Sequence, residues 1–236
     1  QNSGDRLLSL KDAMLTSSSR ELRLSIEPEV LADPEGNPLL CLSAAVPAED
    51  FIPAGKKGKL KIEAELLLQL VNKYSLNMPL YANAQLKHTV KTDEPAGGGE
   101  VSRLSYRTAL SLVPGQYQLQ GIVRDRESGR HGVFSTWITV SDFNNAASVP
   151  SSLILTRYAV PLDPDNRQDP VNRVLAVGDT AYYPQAEREF QRGEVVYALF
   201  RLYHATPEDR AWASRGIQTG LIRDDALVDK LLIHGK

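Results

Sequence analysis

The chain predicts an all-β protein of two immunoglobulin-like or fibronectin-like antiparallel β-sandwich domains with one N-terminal helix. Three observations carry this. Apolar residues recur at a period of two in short segments. Turn-forming residues separate those segments at close spacing. The 236 residues, 42% hydrophobic and 24% charged, are an ordinary globular composition with enough apolar mass for real cores.

Residues 5–15 hold the one helical pattern of the first half. Asp5 can cap it, and Leu7, Leu8, Met14 and Leu15 fall roughly on one face, with Lys11 as the polar exception. Ser17, Ser18 and Ser19 break that pattern. From Arg20 the period becomes two, with Leu22, Leu24 and Ile26 facing one way and Glu21, Arg23 and Ser25 the other. An apolar run at 39–46 follows the turn at 33–38, and 59–65 alternates cleanly. Residues 84–91, 101–112, 116–124 and 133–140 complete seven strands, the last rich in β-branched and aromatic residues. Pro114 and Gly115 form a turn dipeptide, 125–132 a polar hairpin tip, and Gly97–Gly99 a flexible loop too short to link domains.

This spacing predicts a lead-in at 1–19 and a first sandwich over 20–143. Small polar residues at 144–151 form a linker, and a second, smaller sandwich-like domain occupies 152–236. Within it, 152–156, 171–177, 194–203, 217–223 and 227–233 read as strands. Val196, Ala198, Phe200 and Leu202 share one face of the third, 161–170 is a polar loop, and 207–213 has room for a turn of helix.

The formal net charge is −2, without the basic excess expected of a nucleic-acid-binding chain. One cysteine excludes a disulfide framework and Cys-rich zinc sites. That residue, Cys41, lies in the run Leu39, Leu40, Cys41, Leu42 and reads as a buried small hydrophobe. No stretch reaches the ~18 apolar residues of a membrane-spanning helix, and no signal-peptide pattern is present. Gln1 in place of Met reads as the start of a mature or cut-down segment. A lone thiol fits an oxidising compartment better than the cytosol, so the expected location is secreted, periplasmic or cell-surface.

Catalytic and metal-binding signals are weak. His88, His131, His204 and His234 make no metal-spaced pair and read as surface or edge residues. There is no nucleophile elbow and no phosphate loop. The acidic run 163–169 has calcium-like oxygen spacing, but Arg167 occupies a ligand position and the sharp-turn glycine and closing glutamate are missing. The expectation is therefore no enzyme, no cofactor and no metal. Arg124, Asp125, Arg126 and Arg130 cluster at a hairpin tip, either as a polar binding surface or, the favoured reading, as solvated surface pairs. Tyr182 and Tyr183 are loop aromatics that either anchor an interface or plug the end of a sandwich. Trp212 is a further interaction candidate, whereas Trp137 alternates into a strand expected to be half core.

Tyr117 follows the Pro114–Gly115 corner, as in the tyrosine corner of immunoglobulin-like sandwiches. Its hydroxyl is expected to reach a backbone group within 111–114. Onward from Tyr117 the order is Val123-Arg124-Asp125, Ser128-Gly129, Gly132, Thr139-Val140-Ser141-Asp142-Phe143, then Ser152–Leu155 and Arg188-Glu189-Phe190-Gln191-Arg192-Gly193. This order resembles the C-terminal region of the bacterial VWFA-related family known from acidobacteria, with Ser141 where proline is usual. The resemblance spans about residues 7–205. It implies a von Willebrand A domain upstream, whose aspartate-x-serine-x-serine metal loop has no counterpart here: Asp12 precedes Ala13 and Met14. The function implied is a non-enzymatic module that presents or spaces that domain, with the A domain or another protein as partner. The alternative is a carbohydrate-binding or enzyme-accessory module using planar aromatics, for which Trp212 is the expected anchor.

Overall fold

The computed structural model describes residues 3–33, 35–52, 54–56, 59–74, 79–90, 103–144, 148–162, 170–204, 217–223 and 226–233. They are mostly β, arranged as an antiparallel sandwich. The first helix, α1 (Ser3–Thr16), is followed by β1 (Ser25–Ala32), β2 (Pro38–Pro47), β3 (Ala54–Lys56), β4 (Lys59–Asn72), β5 (Leu80–Val90), β6 (Arg103–Ser111), β7 (Gly115–Asp125) and β8 (His131–Val140). One sheet has the order β1–β2–β6. The other has β4 between β5 and β7, with β8 beyond β7 and β3 beside the start of β4. Among the described residues no helix is long and apolar enough to cross a membrane.

The core lies between the inner faces. Leu40, Leu42, Ala44 and Val46 of β2 meet Ile62, Leu66, Leu68 and Leu70 of β4, with Leu119 and Val123 of β7 and Ile138 and Val140 of β8. Each outer face is covered in part by a different segment of the same chain. Leu10 and Met14 of α1 bury Leu67 and Ile122 on the β4–β7 side. On the β1–β2 side, Leu31, Leu39 and Cys41 are buried with Ile154, Val174 and Leu175.

Two strands differ from the periodic reading. Leu22, Leu24 and Ile26 are all buried, but the ladder with β2 begins only at Ser25. Residues 20–24 are crossing between sheets: Arg20 bridges Gly132, and the Leu22 N–H donates to the His131 carbonyl at 3.4 Å. The strand expected at 59–65 continues to Asn72. Leu66, Leu68 and Leu70 face the core while Leu67 lies under α1, so alternation disappears where both sheet faces are covered.

Beyond Phe143 the strands are short: β9 (Val149–Pro150), β10 (Ile154–Thr156) and β11 (Ala159–Pro161). Then come α2 (Pro170–Leu175), β12 (Ala176–Val177), β13 (Thr180–Tyr182), β14 (Tyr197–Leu199) and β15 (Leu202–Tyr203). The strand expected at 171–177 is mostly α2, and that expected at 194–203 is broken into β14 and β15, with Val196 and Phe200 exposed. β14 pairs only with the three residues of β10, too short a ladder to sustain one face. The hairpin of β12 and β13 turns at Gly178, whose φ of +62° favours glycine. β16 (Ile217–Arg223) and β17 (Ala226–Ile233) form an antiparallel pair. Residues 97–99, 163–169 and 207–213, Trp212 and His234 lie outside the described residues.

Candidate functional site

The outer face of the β5–β4–β7–β8 sheet can be followed row by row from its register. Glu65, Arg124 and His131 share one row, and Leu67, Ile122 and Val133 the next, where α1 lies. Further along come Gln69, Gln120 and Ser135, then Val71, Gln118 and Trp137, then Gln116 beside Thr139. The Lys73 N–H donates to the Gln116 carbonyl at 2.9 Å and so carries the β4–β7 ladder one residue further. Asn72 Oδ1 then accepts the Tyr74 N–H at 2.9 Å, which turns the chain and sets Tyr74 beside the strip.

The strip is amide-rich with two prominent rings. Tyr74 is 75% exposed and Trp137 59%. Lys73 Nζ lies 5.1 Å from the centre of the Tyr74 ring and 5.8 Å from that of Trp137. Gln116 Oε1 accepts from Lys73 Nζ at 3.2 Å and from Tyr74 Oη at 3.3 Å, and Gln118 Nε2 donates to Ser135 Oγ at 3.4 Å. Lys73, Tyr74, Gln116, Gln118, Gln120, Ser135, Trp137 and Thr139 include no acidic residue.

The strand that holds Trp137 is half-buried as expected, and Trp137 stands on its exposed face. It shares its phase with Ser135 and Thr139, whereas Ile138 and Val140 are the buried positions. That phase, and the alternating glutamines at 116, 118 and 120, were the available sequence signals.

The hairpin-tip charges are engaged with the fold. Arg124 pairs with Glu65 at 2.8 Å, and Arg126 with Glu63 at 2.9 Å. Asp125 is buried and accepts from Ser128 Oγ at 2.6 Å and from the Glu127 N–H at 3.2 Å, which organises the turn. Arg130 donates to the carbonyls of Asp50 at 2.9 Å and Glu21 at 2.8 Å, tying the tip to the crossing segment.

Tyr182 meets Tyr197 edge to face, with ring centres 5.6 Å apart. Tyr183 is half-buried against the Cys41 cluster, its hydroxyl bonded to Asn172 Oδ1 and its ring 4.7 Å from the Arg107 guanidinium. Cys41 is buried. Tyr117 is 4% exposed, and its hydroxyl donates to the Val113 carbonyl at 2.8 Å. His131 Nε2 bonds Ser17 Oγ at 2.7 Å beside the end of α1, and His204 Nε2 lies on the Phe143 carbonyl. His88 stands opposite Ile62 on β5.

A second charged group, invisible to local sequence reading, lies where the 148–204 segment meets β1. Arg188 pairs with both Glu27 and Glu29 of β1. Burial, together with the Glu27 charge, pushes the Glu29 carboxyl up to about 7 against the pull of Arg188. Among the described residues no group of three or more His, Cys, Asp or Glu could hold a metal ion. No family model matches the chain, and comparison with curated proteins finds no match.

Proposed function

We propose that the chain is a non-enzymatic interaction module of an extracytoplasmic protein of the VWFA-related type. In this reading it spaces or presents an upstream von Willebrand A domain and offers a recognition strip of its own. Its division into an immunoglobulin-like sandwich and a smaller unit that buries its apolar residues against the outer face of β1 and β2 belongs to the same proposal. The observation that carries the reading is the strip itself: Trp137 exposed on β8, with Lys73 and the exposed Tyr74 beside it at the turn that ends β4. Aromatic rings held at a sheet face and its bordering turn are what a recognition surface needs, because little side-chain entropy is lost on contact. The spacing role draws support from the two partly covered outer faces, gripped by α1 and by 148–204.

Two measurements test this. The residues encoded upstream of Gln1 are expected to form an A domain with an aspartate-x-serine-x-serine loop. An unrelated domain there removes the family. The purified chain is expected to turn over no ester, peptide or glycoside substrate. Turnover that disappears in a single point variant of a well-folded chain overturns the non-enzymatic reading.

A further inference from the structure

We infer that the Tyr74–Trp137 strip binds a glycan, and that the glycan it prefers carries uronate carboxylates. The inference rests on the module reading above and names its ligand. A pyranose ring has an apolar C–H face and a rim of hydroxyl groups. Trp137, 59% exposed on the sheet face, offers a ring on which such a face stacks, and Tyr74 offers a second. Around them stand neutral groups that both donate and accept hydrogen bonds: the amides of Gln116, Gln118 and Gln120 and the hydroxyls of Ser135 and Thr139. A hydroxyl rim is met by such groups at little desolvation cost.

Other occupants fit this chemistry less well. The core of a protein–protein contact is apolar around its aromatic anchors, and these anchors sit among amides. A nucleic-acid strand needs a basic groove, and the described residues of the strip include one cation, in a chain of net charge −2. That cation selects within the glycans. Lys73 is held by Gln116 and two rings, and the described residues of the strip include no carboxylate to neutralise it. A uronate carboxylate supplies the missing charge.

Affinity electrophoresis of the full chain through gels containing polygalacturonate or hydroxyethylcellulose tests this. Wild type, Trp137→Ala and Lys73→Gln are compared, with thermal melting to show that each is folded. Wild type is expected to be retarded by polygalacturonate and less by hydroxyethylcellulose. Trp137→Ala should weaken both by at least tenfold, and Lys73→Gln should lose the polygalacturonate preference severalfold. No retardation of folded wild type in either gel overturns the inference. So does retardation that Trp137→Ala leaves unchanged but salt abolishes, because that is bulk charge. Equal retardation in both gels, or no effect of Lys73→Gln, overturns the uronate preference. Failure in these gels removes the glycan and leaves the module reading to its own test, whereas turnover removes the module reading whatever the gels show.

Discussion

Residues 25–140 and residues 148–204 bury apolar surface in different ways. In the first region β4 runs for 14 residues, paired to β5 on one side and β7 on the other, and the two sheets close on each other. In the second, no described strand exceeds three residues. Its buried Ile154, Val174 and Leu175 are completed by Leu31, Leu39 and Cys41 from the outer face of β1 and β2. A long alternating segment can bring its own partner surface, because each added residue extends both a ladder and a face. Short apolar bursts cannot, and are buried against a face already built. The polar ties run the same way: Tyr203 Oη accepts the Ala32 N–H at 2.9 Å, and Ser152 Oγ accepts the Val30 N–H at 2.9 Å.

The most severe loss of stability is expected at the crossing of residues 20–24 over β8. A Cβ at Gly132 would lie 1.9 Å from the Leu22 carbonyl oxygen, a backbone atom that cannot swing aside. Gly132→Ala is expected to cost about 4 kcal/mol or to prevent folding altogether. Urea unfolding of the full chain measures this, and a midpoint equal to wild type would mean the crossing is looser than the contact implies. Close behind comes Tyr117, whose ring closes the core edge. Tyr117→Ala should cost about 3–5 kcal/mol by opening a cavity. Tyr117→Phe, which removes only the bond to Val113, should cost about 0.5–1.5 kcal/mol. Equal midpoints for both variants would place Tyr117 outside the core.

If 148–204 is a layer laid on a finished sandwich, a cavity between them should be felt on the outer face of β2. Ile154→Ala removes a fully buried side chain from the Cys41 cluster and is expected to cost about 2–4 kcal/mol. It should also speed native labelling of Cys41 by thiol reagents, because local opening of the layer exposes the thiol. Slow labelling in the variant, matched to wild type, would mean that Cys41 opens only with the sandwich itself.

What was legible in the sequence follows the same division. Alternation marks β6, β7 and β8, whose faces differ in environment, β2 shows as an apolar run because both its faces are buried, and the corner at Pro114–Gly115 is a local signal because Tyr117 lies only four residues from its acceptor at Val113. Alternation fails at Leu66–Leu70, where both faces are covered, and along 20–24, where the correct face is buried without a ladder. In 148–204 the pairing partners are too short to impose a period, so the apolar run at 194–203 overstated its strand. Trp137 was readable from its phase with Ser135 and Thr139. Lys73 and Tyr74 join it only through pairing across β4, β7 and β8. The Glu29–Arg188 contact joins positions 159 residues apart, and no local pattern reports it.

An effect that vanishes at low pH and grows toward pH 8 probes that seam. Glu29 is 1% exposed, its Oε2 has no hydrogen-bond partner among the described residues, and its Oε1 accepts from Arg188 at 3.0 Å. Burial, then the neighbouring Glu27 charge, raises its carboxyl from the usual 4.5 to about 7, and burial raises Glu27 as well. A carboxyl raised in the folded state binds its proton more tightly there than in the unfolded chain. Its contribution to stability is full below about pH 4.5 and is lost as pH rises through about 7. Glu29→Gln keeps the shape and has no proton to lose, so the variant keeps whatever loss Glu27 causes over that window and escapes the part due to Glu29. The variant should therefore gain on wild type as pH rises from 4 to 8, by about 1–3 kcal/mol at the upper end. Urea midpoints taken at intervals across that range give the difference curve. A flat curve would mean that Arg188 holds Glu29 ionised throughout, and that the seam between the layer and β1 is a fixed ion pair at every pH tested.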